Sequence, residues 1–277
     1  MLDDTGAGRF LNGLVLGMAL FGVSGAMRAE TQAAGQGLSP TVVGPEVLNR
    51  LYPSVEIQDQ GVTTTAIQDR MAALHAPGMS VAVIQGGRLA WAQGFGLTRQ
   101  GGPAVTVNTL FQAGSVSKML TAIAVLTLVE QGKLDLDRDV NQYLRSWKIP
   151  ANEFTKARKV TLRMLLTHTG GINNGVRFFP RSVKRLPTIT QILQGSGPAA
   201  NSYKITVDHI PGTAWSYANG GYDIIQQLLE DVTGQPYDRF MAATVLEPLG
   251  MARSSYVEPL PEARLAEAAT AHEISGA

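Results

Sequence analysis

Apolar and polar residues alternate through residues 79–84 (MSVAVI) and again through 89–95 (LAWAQGF), with Gln85-Gly86-Gly87-Arg88 between the two runs. A period of two puts successive side chains on opposite faces of a strand, so paired glycines between such runs predict a β-hairpin. After Gly114 the pattern changes. Met119, Leu120, Ile123, Val125, Leu126, Leu128 and Val129 are apolar on nearly every side of a helix, which predicts a segment buried within the domain rather than lying on its surface. Gly132 is suited to end that helix as its C′ residue. Shorter helical patterns mark residues 47–51, 67–74 and 189–193. Residues 222–233 are amphipathic, with Ile224, Ile225, Leu228, Leu229 and Val232 on one face and Gly234 behind them. A further helix starts at Pro236 and runs toward Leu246. Residues 109–111 read as extended chain, 134–144 as a polar surface segment, and 160–166 as a strand or short helix. A strand pair followed by a helix-dominated middle, with no internal repeat, predicts an α+β fold.

Composition narrows the function classes. A chain of 277 residues, 44% hydrophobic and 16% charged, has ample material for a buried core in one large domain or two small ones. Net charge of +1 without a basic run gives no electrostatic case for nucleic acid. The absence of cysteine excludes disulfides, thiolate metal sites and a cysteine nucleophile. His75, His168, His209 and His272 stand far apart, none at H-x-H or H-E-x-x-H spacing, so no metal is expected. No cofactor is expected either: Gly94-Phe95-Gly96-Leu97-Thr98-Arg99 lacks the last glycine of a dinucleotide loop, and there is no P-loop.

Residues 14–23 (LVLGMALFGV), preceded by Arg9 and followed by Ser24 and Ala26, read as an export signal. The run is about half of the ~20 residues that span a bilayer, which favours a removed signal over a permanent anchor, although Asp3 and Asp4 are unusual in such a leader. The expected organisation is a signal peptide over 1–29, a linker over 30–45 rich in Gly, Ala, Gln, Ser and Pro, and one domain over 46–277. The location is then periplasmic or secreted, with no membrane association beyond that N-terminal signal or anchor.

Only one serine in the chain stands three residues before a lysine, in Ser115-Val116-Ser117-Lys118. Residues i and i+3 share a helix face, so the Ser115 hydroxyl and the Lys118 amine can meet. A serine hydroxyl becomes a competent nucleophile when a neighbouring base takes its proton, and a desolvated lysine can be that base. The plain alternative is a lysine that snorkels to solvent. Residues 211–222 (PGTAWSYANGGY) form a second candidate segment, a glycine-punctuated loop that leads into the amphipathic helix. In it, Tyr217 offers a phenol that a nearby cation would make more acidic, and Asn219 an amide that can both donate and accept. Equally, Tyr217 can be a packing aromatic, Asn219 a helix cap, and Trp215 and Tyr222 either cleft walls or core. No G-x-S-x-G elbow is present, which argues against an α/β-hydrolase solution to serine catalysis.

Three segments occur in a telling order: Phe111-Gln112-Ala113-Gly114-Ser115-Val116-Ser117-Lys118, then Leu165-Leu166-Thr167-His168-Thr169-Gly170-Gly171, then 211–222 with Tyr217-Ala218-Asn219. S-x-x-K alone arises often by chance; the three together are specific. Through them residues 79–251 resemble the serine β-lactamases and penicillin-binding proteins, and within that superfamily the class C β-lactamase-related esterases and D-amino-acid peptidases. The resemblance implies a β-lactamase/transpeptidase-like fold: an antiparallel sheet flanked by helices, plus an all-helical region. It implies Ser115 as acylated nucleophile, Lys118 as acceptor of its proton, Tyr217 as assisting base and later proton donor, and Asn219 as a substrate-cleft residue. The Ser115 N–H, reinforced by the helix dipole, would be an oxyanion donor. His168 is implied to be structural, satisfying backbone groups at a turn, and His209 and His272 read as surface residues.

One departure stands out. The family carries a further Lys/His-x-Gly motif on a late strand that supplies a second oxyanion donor. Nothing after Asn219 matches it, so the C-terminal strands are expected to be missing. Two functions follow: a serine hydrolase forming an acyl-enzyme on a small ester, amide or β-lactam, or a non-catalytic relative that binds or scaffolds. Within the first, the motifs favour an esterase or peptidase over a dedicated lactamase, and the partner is a small-molecule substrate.

Overall fold

The computed structural model describes residues 44–53, 55, 61–174, 185–199 and 203–271, all within one compact unit. The expected signal peptide, almost all of the linker, and His272 lie outside the described residues. A 3-10 turn at Pro45–Asn49 precedes α1 (Ile67–Ala73), followed by the hairpin β1 (Gly78–Gln85) and β2 (Arg88–Gly96). The strands pair antiparallel from Gly78↔Gly96 to Gln85↔Arg88, with an irregularity between Val83 and Ile84. The turn is Gly86-Gly87, with φ of 58° and 73°. A two-residue turn with both residues in the left-handed region matches the strand twist, and glycine adopts it without steric cost. Leu48, Ile67 and Met71 form a small core against the hairpin, joined by Met79, Trp91 and Phe95.

A 3-10 turn at Gly114–Val116 leads directly into α2 (Ser117–Glu130). Shorter helical elements follow: a 3-10 turn at Val140–Gln142, then α3 (Glu153–Ala157), α4 (Leu162–Leu166), α5 (Ile189–Gln194) and a 3-10 turn at Gly197–Ala199. The long amphipathic helix is α6 (Asn219–Thr233), closed by Gly234 at φ 69°, a left-handed C-terminal residue as its sequence predicts. α7 (Tyr237–Met241) passes into a π turn at Ala242–Leu246, and α8 (Glu262–Leu265) ends the described helices. The principal core gathers Ala124, Val125 and Leu128 of α2, Leu162 and Leu165 of α4, and Ile224, Ile225, Leu228 and Leu229 of α6. Helices and a small antiparallel sheet together make this a mixed α+β fold.

Three expectations need correction. α2 is not enveloped: Met119 is 38% and Leu126 48% exposed, because its core contacts come from one side while apolar residues occupy all sides. Residues 134–144 are not a surface segment, since Leu134, Val140 and Leu144 are buried in the main core while Asp135, Asp137, Arg138 and Gln142 between them are exposed. His209 is not simply a surface residue, as its Nε2 is buried without a hydrogen-bond partner among the described residues. No helix of the described residues is long and apolar enough to cross a membrane.

Candidate active site

The 3-10 turn before α2 places Ser115 at the helix threshold, exposed to solvent, with Lys118 one turn further along the same face. Lys118 Nζ donates to Ser115 Oγ at 3.1 Å. From the other side of the site, 102 residues later in sequence, the Tyr217 hydroxyl donates to Ser115 Oγ at 2.7 Å. Lys118 Nζ also donates to Asn219 Oδ1 at 2.9 Å, and it stands 5.1 Å from the centroid of the Tyr217 ring and 5.4 Å from that of Tyr222. The structure therefore brings Ser115, Lys118, Tyr217 and Asn219 into one cluster. Asn219 is the first residue of α6, so its side chain reaches the lysine from a helix start.

Three loop bonds hold this arrangement. The Gly212 N–H donates to the Thr169 carbonyl at 2.7 Å and the Ser216 N–H to the His168 carbonyl at 2.9 Å. The Ala218 N–H donates to His168 Nδ1 at 3.2 Å. Between them, Gly171 has φ 70° and a Cβ there would lie 2.3 Å from the His209 carbonyl oxygen, so this turn admits only glycine without a shift of backbone. Trp215 is 68% exposed, standing clear of the core.

Sequence reasoning passed over several supporting residues. Asn174 Oδ1 accepts from the Asn219 N–H at 3.3 Å and from Nδ2 at 3.4 Å, orienting that amide so that its oxygen faces Lys118. Its signal was an asparagine pair one residue after Thr169-Gly170-Gly171, unreadable without the fold. Behind α2, the Tyr256 hydroxyl donates to the Ser117 carbonyl at 2.8 Å and Thr121 Oγ1 shares a 2.6 Å bond with Tyr237 Oη. These tyrosines brace the start of the helix that follows Ser115, and nothing local in sequence distinguishes them from core aromatics.

The electrostatics suit proton transfer. The Lys118 cation, as the larger influence, and the Ser115 hydroxyl hold the Tyr217 phenol below its ordinary value of 10.0, because both stabilise the phenolate. Burial instead raises Tyr222, Tyr237 and Tyr256. So of these four phenols only Tyr217 is shifted toward ionisation. Among the described residues, no group of three His, Cys, Asp or Glu side chains could hold a metal ion. Two cavities among the described residues lie elsewhere. One of about 470 Å³ is lined by Glu230, Tyr237 and Tyr256, and one of about 360 Å³ by Met71, His75 and Arg99. The Ser115 cluster faces solvent instead.

Comparison with known proteins identifies the family. Penicillin-binding protein 4 of Amycolatopsis lactamdurans is 33% identical over 202 residues, 72% of this chain and 50% of that protein. A solved octameric penicillin-binding protein homologue from Pyrococcus abyssi is 29% identical with a TM-score of 0.55, covering 67% of this chain and 42% of that one. A D-alanine carboxypeptidase, AmpC, from Burkholderia cenocepacia is 26% identical with a TM-score of 0.56, covering 76% and 53%. This chain spans about half the length, or less, of the curated relatives it matches. A family model described as Beta-lactamase matches residues 63–274, and with the shared fold this places the chain in the β-lactamase family, within the superfamily of serine β-lactamases and penicillin-binding proteins.

Proposed function

We propose that this protein is a serine hydrolase that passes through an acyl-enzyme on Ser115, with a small ester, amide or β-lactam as substrate. The observation that carries the proposal is the convergence on Ser115 Oγ of Tyr217 Oη at 2.7 Å and Lys118 Nζ at 3.1 Å, both within the reach a base needs of the proton it abstracts. From the state in which the Lys118–Tyr217 pair has lost one proton, with Tyr217 as phenolate beside the Lys118 cation, Ser115 Oγ attacks the substrate carbonyl carbon and its proton passes to the Tyr217 oxygen. The Ser115 N–H at the helix threshold receives the developing oxyanion, a donor of a kind worth about 2.7–4 kcal/mol of transition-state stabilisation. Collapse of the tetrahedral adduct breaks the bond to the leaving group, which takes the stored proton from Tyr217. Water then attacks the ester carbonyl, returning the acid and free Ser115.

Asn219 and Asn174 support this reading by fixing the lysine. With Asn219 Oδ1 as a second acceptor, Lys118 is held between the nucleophile and the base instead of swinging into solvent. The likeness to a D-alanine carboxypeptidase and to penicillin-binding proteins supports small peptides ending in D-amino acids, and β-lactams that mimic them, as the first substrates to assay. The leader-like residues 14–23 support export, so that such substrates would be met outside the cytoplasm.

The test is covalent labelling. A fluorescent fluorophosphonate or penicillin should modify the chain at Ser115, read by peptide mass, and Ser115→Ala should abolish the signal while leaving the thermal transition in place. A folded chain that takes up neither probe would instead support the non-catalytic, ligand-binding reading.

A further inference from the structure

Tyr217 must keep its hydroxyl on Ser115, yet it sits on a loop, one residue short of the N-cap of α6. Something outside that loop has to hold its backbone. One residue does so on both sides: the His168 carbonyl accepts the Ser216 N–H at 2.9 Å and His168 Nδ1 accepts the Ala218 N–H at 3.2 Å. The residues immediately before and after Tyr217 are thus tied to the same histidine. Its ring centroid lies 4.4 Å from that of Tyr217 at 37°, with Tyr222 at 5.5 Å and Trp215 at 6.4 Å and nearly perpendicular. His168 itself has φ 58°, a left-handed backbone uncommon outside glycine and asparagine, and such a conformation persists where its surroundings over-determine it.

We infer that His168 is a positioning residue for Tyr217, clamping the backbone on either side of it through an unprotonated Nδ1, so that acid disengages Tyr217 from Ser115 by protonating this ring. The inference rests on the serine-hydrolase reading above. An amide N–H needs a lone pair to donate to, so Nδ1 must be bare and the neutral ring must carry its proton on Nε2. Protonation at Nδ1 sets one donor against another and releases the Ala218 amide. The titratable groups that face the ring are Lys118 from α2, Tyr217 from the loop and Tyr222 from α6. Of these, Lys118 is the charged one, and a second cation beside it is unfavourable. Burial, and then Lys118, keep His168 below its ordinary value of 6.5, so the clamp is engaged at neutral pH.

Two variants separate positioning from packing. His168→Asn places Oδ1 where Nδ1 stands, tolerates the left-handed backbone, and does not titrate. His168→Phe keeps a ring against Tyr217 and offers no acceptor. The rate of Ser115 labelling by a fluorophosphonate is measured for each from about pH 5 to pH 8, across the histidine range. The wild-type rate should fall on the acid side with the dependence of one proton and a midpoint below 6.5. His168→Phe should label about 10–100-fold more slowly at the alkaline end, a misplaced-group effect, and with an ester substrate the loss should appear in kcat rather than KM. His168→Asn should recover about tenfold or more of that loss and show no acid limb. Wild-type rates in His168→Phe, or the same acid limb in His168→Asn, would overturn the inference. The ¹⁵N-labelled Ala218 amide provides a readout independent of activity: its resonance should follow the His168 titration in the wild type and stay still in His168→Asn. If wild-type Ser115 labels at no pH, the hydrolase reading fails by itself, while an Ala218 amide indifferent to the His168 titration overturns the clamp whatever the activity.

Discussion

Ser115 Oγ accepts from two donors of different character, a cation one helical turn away and a phenol brought from a distant loop. The phenol is the group that can give and take a proton with the smaller displacement, because it is the closer and the cation beside it stabilises its anion. Tyr217→Phe removes that hydroxyl while leaving the ring against His168. The rate of acylation should fall by about 10²–10⁴-fold, the usual worth of a positioned acid or base, measured as pseudo-first-order labelling of Ser115 at fixed probe. The alkaline titration of activity should also begin below the ordinary phenol value of 10.0 in the wild type, since Tyr217 is shifted down from it. An unchanged labelling rate in the phenylalanine variant would leave Lys118 as sole base and contradict the role given to Tyr217.

Among the elements, the site exists because two helix starts are held against each other: the 3-10 turn and first turn of α2 present Ser115 and Lys118, and α6 presents Asn219. α6 is tied down at its far end by Asp231, whose carboxylate accepts from the Arg145 N–H at 2.6 Å and from the Ser146 N–H and hydroxyl at 3.0 and 2.5 Å. Desolvation pushes this carboxyl up, but the bonds from Ser146, Arg145 and Gln227 together outweigh it and leave it lowered from 3.8. A lowered carboxylate stabilises the fold above the unfolded value, and that contribution is lost as pH falls through the lower, folded one. Asp231→Ala should therefore cost about 0.5–1.5 kcal/mol at neutral pH by losing those bonds, whose exposed donors turn to water, measured by urea denaturation. The difference between variant and wild type should shrink as the solution is taken to pH 3 and below.

For the molecule as a whole, the core decides whether the site assembles. Leu228 of α6 is fully buried within the cluster that joins α2, α4 and α6. Leu228→Ala should destabilise by about 2–5 kcal/mol, seen as a lower denaturation midpoint, while the labelling rate per folded molecule stays close to wild type because no group of the site is touched. Much of this architecture was legible beforehand, for a physical reason: strand and helix periods are local, so the hairpin about Gly86-Gly87, the helix ending at Gly234, and the Ser115–Lys118 spacing follow from neighbours in the chain. The error over residues 134–144 arose the same way, since Leu134, Val140 and Leu144 follow no single period and sink into the core one at a time. Residues such as Asn174, Tyr237 and Tyr256 could not be found because their partners lie far off in sequence. Local order along the chain was enough to set the elements and the side chains able to do chemistry. That Tyr217 meets Ser115, 102 positions earlier in the chain, with His168 against it, follows from the fold, because such contacts depend on how packed helices orient two loops, and no local period encodes that.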